Sequence, residues 1–262
     1  MTSYETLNVE IEDRGVAWLR LNRPEKRNAL SARMIAELTE AAAQLGADPK
    51  VRVVVLAAQG DSFCAGGDLG WMRDQMAADD ATRAVEARKL AVMLKALDRL
   101  PKPLIGRVQG QAYGGGLGLM ATCDVAIGVM GARFGLTETR LGLTPATIAP
   151  YILARMGAAM TRRVFASSRI FDAQEAVTLG LLARCVPLTA LDAAIEAEII
   201  PYLSCAPGAV ADAKALIHAL SPRPDAAEID LCVAALVSRW DSAESAEGIA
   251  AFFEKRKPDW SL

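Results

Sequence analysis

Apolar positions set the skeleton of the chain. Residues 7–11 and 16–21 are short apolar-rich runs on either side of Asp13-Arg14-Gly15, which predicts two strands joined by a tight turn. Runs 51–57, 104–108 and 123–130 are nearly continuous in aliphatic and small residues, as expected of strands covered on both faces. Helical spacing alternates with these runs. Met34, Ile35 and Leu38 share one face of a helix that Ser31 can cap. Val85, Leu90, Met93, Leu94 and Leu97 share a face of a longer helix over 81–100, which Pro101 and Pro103 stop. Further helices are predicted over 172–179 and 191–202, around a short strand at 184–186. Beyond Ser204 the pattern is helical throughout, over 209–220, 226–240 and 244–255.

Two strand-to-helix junctions are rich in glycine. Gly114, Gly115 and Gly116 follow the strand at 104–108 and precede the helix-favouring Leu117, Leu119, Met120 and Ala121. Gly66 and Gly67 follow the strand at 51–57 and precede Leu69, Trp71 and Met72 at helical spacing. Consecutive glycines are costly inside a regular element, so both stretches read as turns. A helix that starts at such a turn presents N–H groups with no partner inside the helix, and two such turns side by side would aim two donors at one oxyanion or phosphate.

The dinucleotide reading of these glycines does not hold. Gly116, Gly118 and Ala121 have the spacing of that fingerprint, with Glu138 as far downstream as its ribose acid. Only residues 117–122 separate them from the next strand, too few for the crossover helix of a parallel βαβ unit. No Gly-Lys-Ser/Thr follows either loop, which also removes a nucleotide P-loop.

Composition narrows the setting. The 262 residues, 52% hydrophobic and 23% charged, suffice for one large domain or a domain with an appendage. A formal net charge of -2 gives no electrostatic reason to expect nucleic acid or an anionic membrane. The N-terminal stretch carries acids early and no continuous apolar core, so neither a signal peptide nor a membrane span is expected and a cytoplasmic address follows. Five singly scattered cysteines argue against a disulfide framework and against a paired-cysteine zinc site. His218 is the one histidine. It cannot supply a multi-histidine metal site, and no nucleophile-elbow sequence accompanies it for a Ser-His-Asp triad.

Five stretches then carry a resemblance: LNRPEKRNALS at 21–31, FCAGGDL at 63–69, GQAYGGGLGL at 110–119, CDVAI at 123–127 and FGLTETRLGLTP at 134–145. In order and spacing they resemble the successive signatures of the crotonase superfamily, the enoyl-CoA hydratase and isomerase family, and AEGIAAFFEKRKPDW resembles that family's last helix. The resemblance implies an α/β fold: a crotonase-like spiral of repeated β-β-α units over 1–203, and a helical C-terminal trimerisation region over 204–262. It implies an acyl-CoA thioester substrate, no cofactor beyond the coenzyme A that the substrate carries, and a homotrimer or a homohexamer of two trimers. By position, the N–H groups of Gly67 and Gly115 would form the oxyanion hole, each well-aimed donor contributing about 3 kcal/mol to an enolate. Lys26, Arg27, Ala29, Ala65, Asp68 and Leu69 match the path of the CoA nucleotide and pantetheine. Gly66 and Gly114 join that substrate-binding set, and Phe253 and Lys255 contribute from the last helix, of this or a neighbouring subunit.

One position departs from the family pattern. Well-known hydratases carry two glutamates, and here the first position is Gly118 while Glu138 occupies the second. Gly118 lies one helical turn after Gly115, so it is expected to leave an open gap facing the oxyanion donors. Family members with one glutamate include Δ3,Δ2-enoyl-CoA isomerases, whereas GLTPATIAPYI resembles methylglutaconyl-CoA hydratase-like proteins. The expected activity is therefore hydration of a 2-enoyl-CoA of the methylglutaconyl type, with single-glutamate isomerisation as the alternative. A third reading, an acyl-CoA-binding subunit with little catalysis, is opposed by the retained Glu138.

Overall fold

A computed structural model describes residues 3–220 and 226–261. β1 (Leu7–Ile11) and β2 (Val16–Leu21) form the predicted hairpin, with Leu7 opposite Leu21 and Ile11 opposite Ala17. A 3-10 turn at Pro24–Lys26 leads to α1 (Ala32–Ala47), whose first turn is closed by the Ser31 hydroxyl accepting from Met34 N–H. The chain then repeats one unit, a long buried strand followed by a short strand and a helix. β3 (Val53–Ala58), β4 (Ser62–Cys64), α2 (Leu69–Ala77) and α3 (Asp80–Asp98) make the first turn of a spiral. β5 (Leu104–Val108), β6 (Gln111–Tyr113) and α4 (Gly115–Thr122) make the second. β7 (Val125–Val129), β8 (Arg133–Gly135), a 3-10 turn at Glu138–Leu141 and α5 (Ala149–Arg162) make the third. After β9 (Phe171–Asp172), α6 (Ala173–Thr178), β10 (Arg184–Val186) and α7 (Leu191–Leu203), the chain ends in α8 (Pro207–Leu220), α9 (Ala226–Trp240) and α10 (Ala243–Glu254).

Each turn of the spiral adds one strand to each of two sheets. The six-stranded sheet runs β1-β2-β3-β5-β7-β10, and the four-stranded sheet β4-β6-β8-β9. From β2 to β10 the large sheet is parallel, and α7 lies across β3, β5 and β7. That cover explains why β3 has no polar face: all six of its residues are buried. The strand at 123–130 is shorter than expected because Cys123 closes α4 and Asp124 N–H donates to Leu104 O before the ladder begins.

The C-terminal helices bury part of their apolar surface within this chain. α9 packs along α3 and α10 packs on the turn at Glu138–Leu141. Ile229, Val233, Leu236, Trp240 and Ile249 are buried within this chain, in a second cluster with Met72, Ala87, Ala91, Leu143 and Ala146. Leu231 and Phe252 remain exposed, as do Leu216, Ile217 and Leu220 on α8. α8 is pinned by a buried lysine: Lys214 Nζ donates to Asp124 at 2.7 Å and to Lys102 O at 3.1 Å.

Candidate active site

The two glycine loops meet at Leu30. The segment leading into α1 pairs with the loop after β4 through Ala65 N–H to Arg27 O (3.0 Å), Leu30 N–H to Gly66 O (2.8 Å) and Asp68 N–H to Leu30 O (3.0 Å). This isolated parallel bridge uses the Gly66 carbonyl and the Asp68 N–H, on either side of Gly67, and leaves the Gly67 N–H outside the ladder. Gly67 is exposed, and the direction a Cβ would take there meets only Met72 and Trp71 at 3.8 Å. Gly115 opens α4, so its N–H has no intrahelical acceptor. A Cβ on Gly115 would stand 2.8 Å from Leu30 Cδ1, and one on Gly66 would stand 3.8 Å from Gly115 N. Backbone thus abuts backbone where the two donors emerge, and glycine is required for that approach.

Asp68 and Arg23 secure the first loop. The Asp68 carboxylate caps α2, accepting from Gly70 N–H at 2.8 Å and Trp71 N–H at 3.3 Å, and it pairs with Arg23 at 2.9 Å. Arg23 also donates to Ala29 O at 2.8 Å. Despite the cost of partial burial, the Arg23 guanidinium and the two N–H groups hold Asp68 below the ordinary carboxylate range. Asn28 is a further organiser. Fully buried and at a left-handed φ of 54°, it accepts from Arg23 N–H at 2.9 Å and donates to Gln59 O and Ser62 O. Sequence reasoning passed over it, although an asparagine after two basic residues is a residue type suited to a left-handed turn.

Glu138 starts the 3-10 turn after β8, and its carboxylate rests against the second glycine loop. A Cβ on Gly114 would stand 2.8 Å from Glu138 Oε1. Gly114 also has φ of 48° and donates its N–H to Gly135 O at 3.0 Å. The residue as a whole is half-buried, but Oε2 is enclosed and has no hydrogen-bond partner. Burial raises the Glu138 pKa from 4.5 to about 7, against a smaller lowering effect of its own backbone N–H. A carboxyl group balanced near neutrality can accept a proton and return it.

Gly118 does not open a gap. A Cβ there would overlap the Ile148 Cγ2 methyl, with Ile148 Cβ at 3.1 Å and Leu94 Cδ2 at 3.4 Å. Both neighbours are buried, and Ile148 leads into α5. The expectation of an open space at this position is corrected: apolar side chains from α3 and the α5 entry fill it, because α4 packs against both elements.

The remaining sequence candidates are spread around this centre. Lys26 and Arg27 are exposed on the turn before α1, Arg27 with φ of 50°, while Ala29 is buried behind them. Ala65 is half-buried and Leu69 is exposed at the start of α2. Phe253 packs on this chain's own α2, with the Arg73 guanidinium 4.2 Å from its ring centre. Lys255 is exposed at the C-terminus of α10 with φ of 57°. A cavity of about 620 Å³ on the large sheet, lined by Trp18, Arg20, Arg107, Asp192 and Glu196, contains neither Glu138 nor any glycine of the two loops. Among the described residues no three His, Cys, Asp or Glu side chains cluster as a metal site. No helix among them is long and apolar enough to cross a membrane.

Known proteins resemble this chain along most of its length. The family model described as enoyl-CoA hydratase/isomerase matches residues 11–262. A crystal structure of an enoyl-CoA hydratase from Shewanella pealeana is 36% identical, covers 98% of this chain and 96% of its own, and superimposes with a TM-score of 0.80. Pseudomonas aeruginosa AtuE is 38% identical, covering 98% of this chain and 100% of its own at a TM-score of 0.80. The mitochondrial methylglutaconyl-CoA hydratase of Rattus norvegicus is 31% identical over 96% of this chain and 81% of its own length.

Proposed function

The chain belongs to the enoyl-CoA hydratase/isomerase family, and from that footing we propose that it adds water across the double bond of a 2-enoyl-CoA thioester. The observation that carries this reading is the buried Glu138 carboxyl seated against Gly114, beside the two abutting glycine loops. The thioester oxygen sits between the N–H groups of Gly67 and Gly115. Water attacks C3, the C2–C3 π electrons move toward the thioester to form an enolate, and the two donors hold its oxygen. Glu138 takes the proton that water loses and delivers a proton to C2, so the carboxyl ends as it began. The acyl end lies toward Met72 and Trp71, the side chains nearest Gly67.

Lys26 and Arg27, both exposed, meet the CoA phosphates in this reading, with Ala29, Ala65, Gly66, Asp68 and Leu69 along the pantetheine and Lys255 at the outer rim. Asp68 serves this path through the loop it caps. The reaction as written moves one water and one proton, and it calls for no cofactor beyond the CoA of the substrate. Copies of the chain associate as trimers or as hexamers through the apolar face of α8, where Leu216, Ile217 and Leu220 are exposed. Five unpaired cysteines suit a reducing cytoplasm.

A second reading is favoured by one observation: apolar side chains fill the space at Gly118, which leaves Glu138 as the carboxyl group seated at the glycine loops. A single carboxylate suffices to move a proton from C2 of a 3-enoyl-CoA to C4. The methylglutaconyl thioester remains the first acyl group to test. Purified protein should be offered crotonyl-CoA, 3-methylglutaconyl-CoA and a 3-enoyl-CoA, with products separated by mass. A product heavier by one water supports hydration, a shifted double bond at unchanged mass supports isomerisation, and no conversion of any of the three overturns both.

A further inference from the structure

The turn that carries Glu138 has little of its own to hold it. Its four residues, Glu138–Leu141, include none that is buried, and a 3-10 turn of this length is not stable by itself. No hydrogen bond orients Glu138 Oε2, so the place of the carboxylate follows from the place of its backbone.

That backbone is gripped by the C-terminal helices. Gly142, at φ of 69°, closes the turn with its N–H, and its carbonyl accepts from Arg239 Nε of α9 at 2.8 Å. The other arm of Arg239 holds Glu244 at 2.5 Å. A Cβ on Gly142 would stand 2.5 Å from the Glu244 carbonyl, and one on Gly248 would stand 2.6 Å from the Leu141 carbonyl carbon. Two glycines thus let the turn and α10 touch main chain to main chain, with no side chain between them to yield. The corner between α9 and α10 is itself braced: Ser245 Oγ donates to Trp240 O at 2.9 Å, and Arg83 of α3 pairs with Asp241.

We propose that Arg239 and Gly248 are positioning residues for the reaction: through Gly142 and Leu141 they hold the Glu138 turn so that its carboxylate stays seated at the glycine loops. The C-terminal helices are then part of the catalytic scaffold of their own subunit. This rests on Glu138 being the acid–base group, so Glu138→Gln is measured beside the other variants.

The test uses full-length protein and whichever of the three thioesters it converts fastest. Gly248→Ala and Arg239→Met should each lower kcat on the order of 10- to 100-fold, the effect expected of a displacement near 1 Å at a reacting group, with KM changed less than about twofold. Arg239→Lys, which keeps a donor, should fall between Arg239→Met and wild type. Thermal unfolding confirms that each variant is assayed folded, and Arg239→Met carries the test if Gly248→Ala does not fold. Normal kcat in folded Arg239→Met, or a change confined to KM, overturns the positioning role when Glu138→Gln is inactive. Retained activity in Glu138→Gln overturns the underlying assignment instead.

Discussion

The Ile148 side chain stands where a Cβ on Gly118 would have to be, with the Cγ2 methyl overlapping that position. Gly118 is therefore a packing glycine as well as a missing carboxylate, and adding the carboxylate alone should not create a second acid–base group. Gly118→Glu is expected to cost about 1–3 kcal/mol from overpacking, and more from burying an unpaired charge. Denaturant unfolding checks this. The double variant Gly118→Glu/Ile148→Ala removes the obstructing methyls, so it should lose less stability than the two single variants summed and gain hydration of crotonyl-CoA over Gly118→Glu. With Ile148→Ala measured alone, simple addition of the two single-variant losses in the double variant would show that the two positions are not coupled.

Glu138 links activity and stability through pH. Its folded pKa, raised by burial to about 7, exceeds the ordinary 4.5, so the folded state holds the proton more tightly than the unfolded chain. The stabilisation from that proton is complete below 4.5 and lost as pH rises through about 7. Glu138→Gln should accordingly be more stable than wild type at pH 8, by on the order of 1–3 kcal/mol, with the advantage vanishing toward pH 4. Parallel urea titrations at the two pH values measure the difference.

The proposed role of the same group in catalysis predicts a rate dependence on pH. If the ionised form starts the proton transfer, kcat/KM should rise with pH through an apparent pKa near 7. Glu138→Gln should lose on the order of 100- to 10,000-fold in kcat while still binding the thioester. A steady-state pH profile and a binding titration with a non-reacting acyl-CoA check both statements.

Substitutions at Gly67 and Gly115, the proposed oxyanion donors, should separate by geometry. Gly67→Pro deletes one donor and should lower kcat on the order of 100- to 1000-fold. Gly67→Ala keeps the N–H and meets only ordinary contacts at 3.8 Å, so it should fold and retain most activity. Gly115→Ala also keeps its N–H, but its methyl would press on Leu30 Cδ1 at 2.8 Å. It should be the more damaging alanine in both stability and rate. Comparing the three variants by kcat and by melting temperature decides whether donor or space matters at each site.

Assembly is checked most simply in solution. The exposed Leu216, Ile217 and Leu220 of α8 predict light scattering above the monomer mass at micromolar concentration. Leu216→Glu/Ile217→Glu should shift the protein toward monomer. Because Phe253 packs on its own chain's α2, that monomer should keep much of the thioester affinity.

Much of this protein is determined by sequence alone. Strands at 7–11, 16–21 and 104–108 and helices such as Ala226–Trp240 were legible, because burial on one or both faces imposes a local apolar pattern that a linear reading detects. The glycine loops were legible as turns because consecutive glycines are costly inside a regular element, whereas Glu138 was marked by the family resemblance alone. Tertiary structure decided what depends on contacts between distant residues. Strands of two or three residues, β4, β6, β8 and β9, carry no period and exist only because neighbouring turns of the spiral pair them. The Gly118 space is filled by Ile148 and Leu94, thirty and twenty-four positions away in the chain. The grip of α9 and α10 on the Glu138 turn joins residues about a hundred positions apart: Arg239 and Gly142 are 97 apart. A sequence pattern records which face of an element is buried, but not which element buries it, and here the covering elements α9 and α10 lie against the turn that carries Glu138.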